Sequence, residues 1–241
     1  MSGHSKWANI KHRKEKSDSI KGKMFSKIGR ELSVAVKQGG PDPEANGKLR
    51  DVIAKAKAEN MPNDNIMRSI KKAAGDANSA EYEEINYEGY GPGGVALIVE
   101  AMTENRNRTA GDIRHLFDKY GGNMGTTGCV SFLFSRKGVL IIMKEDGPDL
   151  DALMLDALEA GAEDIAELDE VYEVTTSPDD FSNVRESLEK LGYKFESANI
   201  EMIPLTTVSL TDEKQSASME KLVESLEDHD DVQNVFYNLE N

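Results

Sequence analysis

Between Lys6 and Lys37, ten lysines and arginines face only three acids, Glu15, Asp18 and Glu31. Six of the ten, Lys11, Arg13, Lys14, Lys16, Lys21 and Lys23, crowd into thirteen residues. Cations at this density neutralise phosphates and release counterions, which gives affinity for a polyanion without reading its sequence. Lys6, Lys27 and Arg30 extend the run at its two ends. The only tryptophan of the chain, Trp7, lies inside it. Flat rings among cations, Trp7 first and then His12 and His4, suit stacking on unpaired bases. Packing of Trp7 onto a helical bundle is the equal alternative. The candidate nucleic-acid-binding set is therefore Lys6, Trp7, Lys11, His12, Arg13, Lys14, Lys16, Lys21, Lys23, Lys27 and Arg30. Lys55, Lys57, Arg68, Lys71 and Lys72 either continue this basic face or are ordinary solvated helix positions.

A second candidate sits in TENRNRTAGD (Thr103–Asp112). Thr109 and Asp112 have the spacing of a capping box, which would start a helix at Thr109. Arg106 and Arg108 would then stand just ahead of a helix N-terminus, where they and the free amides would make an anion-binding corner suited to phosphate. Pairing of the two arginines with carboxylates of their own chain is the competing expectation.

Other chemistry finds little support. GYGPGG (Gly89–Gly94) fits G-x-G-x-x-G, but a strand follows it where a dinucleotide site needs a helix, and Pro92–Gly93 is the natural centre of a type II turn. The four histidines, His4, His12, His115 and His229, are scattered without a second ligand at a useful spacing, so no metal site is expected. Cys129 beside an apolar run reads as a small buried hydrophobe. There is no nucleophile elbow and no P-loop, and no cofactor or small-molecule substrate is implied. The expectation is a protein that is not an enzyme.

Charge is distributed unevenly. The chain has a formal net charge of −15, yet residues 1–77 carry 17 Lys/Arg against 9 Asp/Glu. The remainder carries 12 against 35. A basic module for a polyanion joined to an acidic body is the direct interpretation. The longest apolar runs fall far short of the roughly 20 residues a membrane helix needs, and no apolar stretch follows the basic start as in a secretory signal. One cysteine fits a reducing compartment, and the expected location is the cytoplasm.

These residues need elements to position them. Phe25, Ile28, Leu32, Ala35 and Val36 form one helical stripe that Gly39–Gly40 ends. A second helix is expected to start at Asp42–Pro43, with Leu49, Val52, Ile53 and Ala56 inward, and to end near Asn60. A third carries Ile66, Ile70 and Ala73–Ala74. Residues 75–80 look like a linker. Strands follow at Val95–Met102 and Cys129–Phe134, around a helix with Ile113, Leu116, Phe117 and Tyr120 inward. From 136 to 204 the order is β-α-β-β-α-β, the ferredoxin-like order. A strand at Thr206–Leu210, a helix and a last strand then complete a second such unit, interrupted by the first. The expected fold class is α+β multidomain: an N-terminal three-helix bundle (1–79) followed by two ferredoxin-like α/β domains, with 136–204 inserted in 80–135 plus 205–241.

Several stretches together resemble one family. They are GHSKWANIKHRK, KGKMFSKIGREL, GGPDPEANGKLR, NMPNDNIMRSIKKAAG, YEGYGPGGVALIVEAMTENRNRT, GGNMGTTGCVSFLF, LEAGAEDI and MIP, in order over nearly the whole chain. They are similar to the YebC/PmpR family of probable transcriptional regulatory proteins. The resemblance implies an all-α N-terminal domain and two α/β domains, one inserted in the other. It also implies DNA-binding transcriptional regulation, as in some members, or action on translation at the ribosome, as in related members that include a mitochondrial translational activator. It supplies no catalytic residue.

The expected function is regulation of gene expression through nucleic acid, DNA or ribosomal RNA, with the ribosome itself a candidate partner. No membrane partner is expected. An acidic protein-binding adaptor is the rival from another class. No helix of the N-terminal bundle shows itself in the sequence as a base-reading recognition helix.

Overall fold

The computed structural model describes residues 19–75, 81–145 and 149–240. Apolar residues at three- and four-residue intervals build α1 (Ser19–Gly39), α2 (Gly47–Ala58) and α3 (Asn63–Gly75). Ile28, Leu32, Ala35 and Val36 of α1 close on Leu49, Val52 and Ala56 of α2 and on Ile66 and Ile70 of α3. The α2 start differs from expectation. Asp42 accepts the Glu44 amide at 3.0 Å in a turn, and the cap is Asn46. Its Oδ1 accepts from the Leu49 amide at 3.0 Å, while its Nδ2 donates to the carbonyls of Ala35 and Gly40 at 2.8 Å. Asn46 wins over Asp42 because its amide both donates and accepts, so it ties the end of α1 to the start of α2.

The chain continues through β1 (Glu83–Tyr90), β2 (Ala96–Thr103), α4 (Arg106–Lys119), β3 (Asn123–Met124), β4 (Phe134–Met143), α5 (Leu150–Ala160), β5 (Asp164–Glu167), β6 (Val171–Thr176), α6 (Phe181–Lys190), β7 (Ser197–Pro204), α7 (Glu213–Asp228) and β8 (Val232–Tyr237). Two four-stranded sheets result, in the orders β3-β1-β2-β8 and β5-β6-β4-β7. All their paired strands are antiparallel. Leu97, Val99 and Ala101 on β2 pack with Ile113, Phe117, Met219 and Leu222 of the covering helices. Leu140 and Ile142 on β4 pack with Leu153, Val184 and Leu188. Ala96 and Ile98, on the other face of β2, meet Phe134 and Met202 and join the two sheets.

The second sheet has the expected ferredoxin-like order, its strands lying second, third, first, fourth in order of appearance. The first sheet departs from it: its strands lie third, first, second, fourth in order of appearance, although β2, β3 and β8 keep ferredoxin-like places. Its central position beside β2 is filled by β1, a strand the periodicity analysis did not anticipate. Thr206–Leu210 contributes only an isolated bridge from Val208 to Leu239. Cys129–Phe134 is likewise not a strand; β4 begins at Phe134, preceded by a single 3-10 turn at Ser131–Leu133. The amides of Gly128, Val130 and Ser131, which a strand would pair, donate instead to the Glu88 carboxylate. The Pro92–Gly93 turn forms as expected: Gly94 donates to the Gly91 carbonyl at 3.2 Å, and Gly93 takes φ 69°, ψ 12°. Among the described residues no helix is long and apolar enough to cross a membrane.

Candidate nucleic-acid interface

Lys6, Trp7, Lys11, His12, Arg13, Lys14 and Lys16 lie outside the described residues, and Lys21 falls near the start of α1. Lys23, Lys27 and Arg30 recur at i, i+4 and i+7, so they share one side of that helix. Its partner is the acidic end of α7 with the turn from it to β8. Lys23 Nζ meets Asp228 Oδ1 at 2.9 Å, and Lys27 Nζ donates to the Glu227 carbonyl at 2.7 Å. The Arg30 guanidinium reaches Asp231 Oδ1 at 2.9 Å and donates to the carbonyl of Asp230. It also lies 5.5 Å from the centre of the Tyr82 ring. These three cations therefore hold α1 against the first sheet.

Asp231 is the centre of that seam. Its side chain is 4% exposed, and its second oxygen receives Arg108 Nη2 at 2.8 Å and the Thr109 hydroxyl at 2.7 Å. Burial alone would raise its pKa. The hydrogen bonds from Arg108 and Thr109 and the charges of Arg108 and Arg30 outweigh burial and hold the carboxyl below its ordinary value. Helix α4 starts earlier than the expected capping box. Asn105 is its cap, accepting from the Arg108 amide at 3.1 Å. Thr109 thereby lies inside the helix, fully buried, with its hydroxyl turned to Asp231. Within the second anion-binding candidate, Arg108 is engaged by a carboxylate of its own chain, and Arg106 is exposed in the first helical turn.

A second seam joins α2 to α6. Arg50 Nε meets Glu186 Oε1 at 2.7 Å, and Arg185 Nε meets Asp51 Oδ1 at 3.1 Å, a reciprocal exchange of charge between adjacent residues of each helix. Arg185 is 4% exposed and also reaches Glu189 at 2.9 Å. Lys55 pairs with Glu31 inside the bundle, and Lys48 with Glu84 on β1. Sequence reasoning missed these partners, because opposite charges 24 to 136 residues apart leave no local pattern.

Glu88 was missed as well. It is 5% exposed, and its carboxylate accepts three amides, Gly128 at 2.8 Å and Val130 and Ser131 at 2.9 Å. Burial pushes its pKa up, but the three donated amides push harder and leave it below the ordinary value. Glu88 thus fixes the glycine-rich loop between β3 and β4.

Once these pairs are removed, the unpaired cations of the bundle's described residues are few. Lys57, Arg68, Lys71 and Lys72 are exposed and join no ion pair or side-chain hydrogen bond among the described residues. Three of the four belong to α3. Among the described residues no group of three or more His, Cys, Asp or Glu is placed to hold a metal.

Comparison with known proteins agrees with this architecture. A profile described as the TACO1/YebC protein N-terminal domain matches residues 5–76, and one described as the TACO1/YebC second and third domain matches residues 82–239. A probable transcriptional regulatory protein of Acetivibrio thermocellus is 66% identical over 238 residues, covering 99% of this chain and 98% of its own. Another from Caldicellulosiruptor saccharolyticus is 64% identical over 240 residues, covering 100% and 99%. Among solved structures, a conserved hypothetical protein from Aquifex aeolicus superposes with a TM-score of 0.84 at 47% identity, covering 94% of this chain and 93% of that one.

Proposed function

Since the chain belongs to the TACO1/YebC family, we propose that it is a non-enzymatic, cytoplasmic regulator of gene expression that acts by binding nucleic acid. The basic unit at 1–79 is the binding part, and the two α/β units at 80–135 with 205–241 and at 136–204 form the body that carries it. One observation carries this reading. Lys23, Lys27 and Arg30 clamp α1 to an acidic body, so the basic segment ahead of α1 joins the protein at a fixed place. An acidic body repels a polyanion and orients the basic end toward it. The relatives' shared description as probable transcriptional regulatory proteins supports DNA as the target.

A second reading, contact with ribosomal RNA, is favoured by the composition of the segment. Trp7, His4 and His12 are interleaved with cations there, and such rings stack on unpaired bases, which folded RNA offers and duplex DNA does not. Arg106 would add a contact in either case.

The test neutralises Lys11, Arg13, Lys14 and Lys16 to Gln in the full chain. Binding to duplex DNA and co-sedimentation with ribosomes are then measured at low and moderate salt. Loss of salt-sensitive binding to DNA, to ribosomes or to both supports the reading and names the target. Unchanged behaviour in every arm overturns it in favour of a protein-binding adaptor.

A further inference from the structure

Helices α2 and α3 are joined by four residues, Glu59–Pro62. Asn60 in this turn has φ 58°, the only positive φ among the described non-glycine residues. The left-handed residue reverses the chain: Met61 donates its amide back to the Ala56 carbonyl at 2.9 Å, and the Pro62 carbonyl accepts the Asn65 amide at 2.9 Å to begin α3. Ala56, fully buried, and Met61, 7% exposed, fill the angle between the helices. A short turn of this kind between two helices is the connection of a helix-turn-helix, whose second helix is the one offered to DNA.

The surface of α3 has the matching chemistry. Ile66, Ile70 and Ala73 face inward. On the opposite side Asp64, Met67, Arg68 and Lys71 stand at i, i+3, i+4 and i+7. With Pro41, Ala74 and the edge of Ile70 they line an open groove of about 440 Å³. Met67 is 63% exposed. Among the described residues Arg68, Lys71 and Lys72 join no ion pair, and Asp64 is the single acid of the helix. Among the described residues no ion pair or side-chain hydrogen bond attaches α3 to either sheet, so this face is left open while those of α1 and α2 are covered.

We propose that α3 is a recognition helix that enters the major groove of duplex DNA, with Arg68 and Asn63 at base edges, Met67 against a thymine methyl, and Lys71 and Lys72 on phosphates. The inference rests on the nucleic-acid reading above and deepens it by naming a second binding element and its occupant. The occupant follows from shape and charge. A helix about 10–12 Å across fits the B-form major groove, about 12 Å wide. The deep, narrow major groove of A-form RNA does not admit it. Arginine and asparagine are the side chains that read guanine and adenine edges.

The test is fluorescence anisotropy of the full chain against a mixed-sequence DNA duplex and an RNA hairpin of equal length, across a salt series. Arg68→Gln, Lys71→Gln and Lys72→Gln are combined in one variant. A control removes the same charge from exposed positions elsewhere, Lys190→Gln, Lys214→Gln and Lys221→Gln. Each lost phosphate contact on B-DNA lowers the slope of log K against log salt by about 0.9. The α3 variant should therefore lose more than about tenfold in duplex affinity and, through Lys71 and Lys72, up to about 1.8 in slope, and the control should lose little. Equal behaviour of native chain and α3 variant on the duplex overturns the inference but leaves the N-terminal segment as the binder. Loss confined to the hairpin overturns DNA as the occupant. Failure of the native chain to bind either probe overturns this inference together with the reading on which it rests.

Discussion

Helices α1 and α3 carry cations at the same three- and four-residue intervals, yet the fold uses them in opposite ways. Lys23, Lys27 and Arg30 on α1 are engaged by the end of α7 and the turn from it to β8. Arg68, Lys71 and Lys72 on α3 meet solvent. The contrast changes what the charge asymmetry of the chain means. Part of the excess positive charge in the first 77 residues is the counterpart of the acidic body, used to assemble the molecule. Only the remainder is available to an external polyanion. A count of lysines and arginines overstates a binding surface when the same chain supplies the opposing acids.

The sharpest way to break the comparison is at Asp231. Removing one partner of a buried, hydrogen-bonded charge cluster costs about 3–5 kcal/mol, since the remaining charges lose their compensation. Asp231→Ala should cost that much in urea unfolding of the full chain. A loss below about 1 kcal/mol would mean that the seam does not hold α1. The pH dependence has a definite sign. The folded carboxyl titrates below the unfolded one, whose pKa is about 3.9. Its contribution is therefore present above about pH 4 and lost as pH falls through the folded value. The stability gap between the native chain and Asp231→Asn should narrow in acid, and a gap that widened below pH about 4 would contradict the assignment.

Glu88 is the next test, because it is a buried acid held by amides instead of by cations. Glu88→Gln keeps the shape but directs an N–H group at amides that must donate. The expected cost is about 2 kcal/mol, with faster proteolysis in the loop from Gly125 to Phe132. If it costs nothing, the loop is held by its glycine turns and not by the carboxylate.

Smaller still is the cap of α2. Asn46→Ala should cost about 1–2 kcal/mol, whereas Asp42→Ala should stay within about 0.5 kcal/mol. The reverse ranking would restore the sequence-based start of the helix at Asp42–Pro43.

These cases show how much was legible in the sequence. Stripes of Ile, Leu and Val identified every described helix and the strands β2, β4, β5, β6, β7 and β8, because burial of one face leaves a period. EEINYEGY did alternate, with Ile85 and Tyr87 between Glu84, Asn86 and Glu88, but it has too few apolar residues to stand out, and β1 was missed. Thr206–Leu210 has strand composition and stays almost unpaired, since β1 already occupies the place beside β2. Of the candidate site, the basic residues were visible and their fates were not. Lys23 and Arg68 are chemically equivalent on a helix surface. What separates them is Asp228, 205 positions along the chain from Lys23, and only the fold brings that partner into place. The end of α2 near Asn60 was expected; that Asn60 takes a left-handed angle there, as asparagine does more often than most residues, only the backbone shows.

The smallest stability effect belongs to α3, and there a near-zero result is informative. Exposed side chains with no partner contribute little to folding, and substitutions at such positions stay within about 0.5 kcal/mol. The combined Arg68→Gln, Lys71→Gln, Lys72→Gln variant should therefore unfold in urea almost as the native chain does, at low salt and at high salt alike. The matching triple variant on α1, Lys23→Gln, Lys27→Gln, Arg30→Gln, should lose stability, chiefly through Arg30 at Asp231. Part of that loss should disappear in high salt, because the exposed Lys23–Asp228 pair is screened by added ions. If the two variants proved equally stable, the cations of α1 would be as free as those of α3, and the seam would not be the device that sorts them. A large loss on α3 instead would mean that its cations have structural partners, and a face already engaged within the protein cannot enter a groove of DNA.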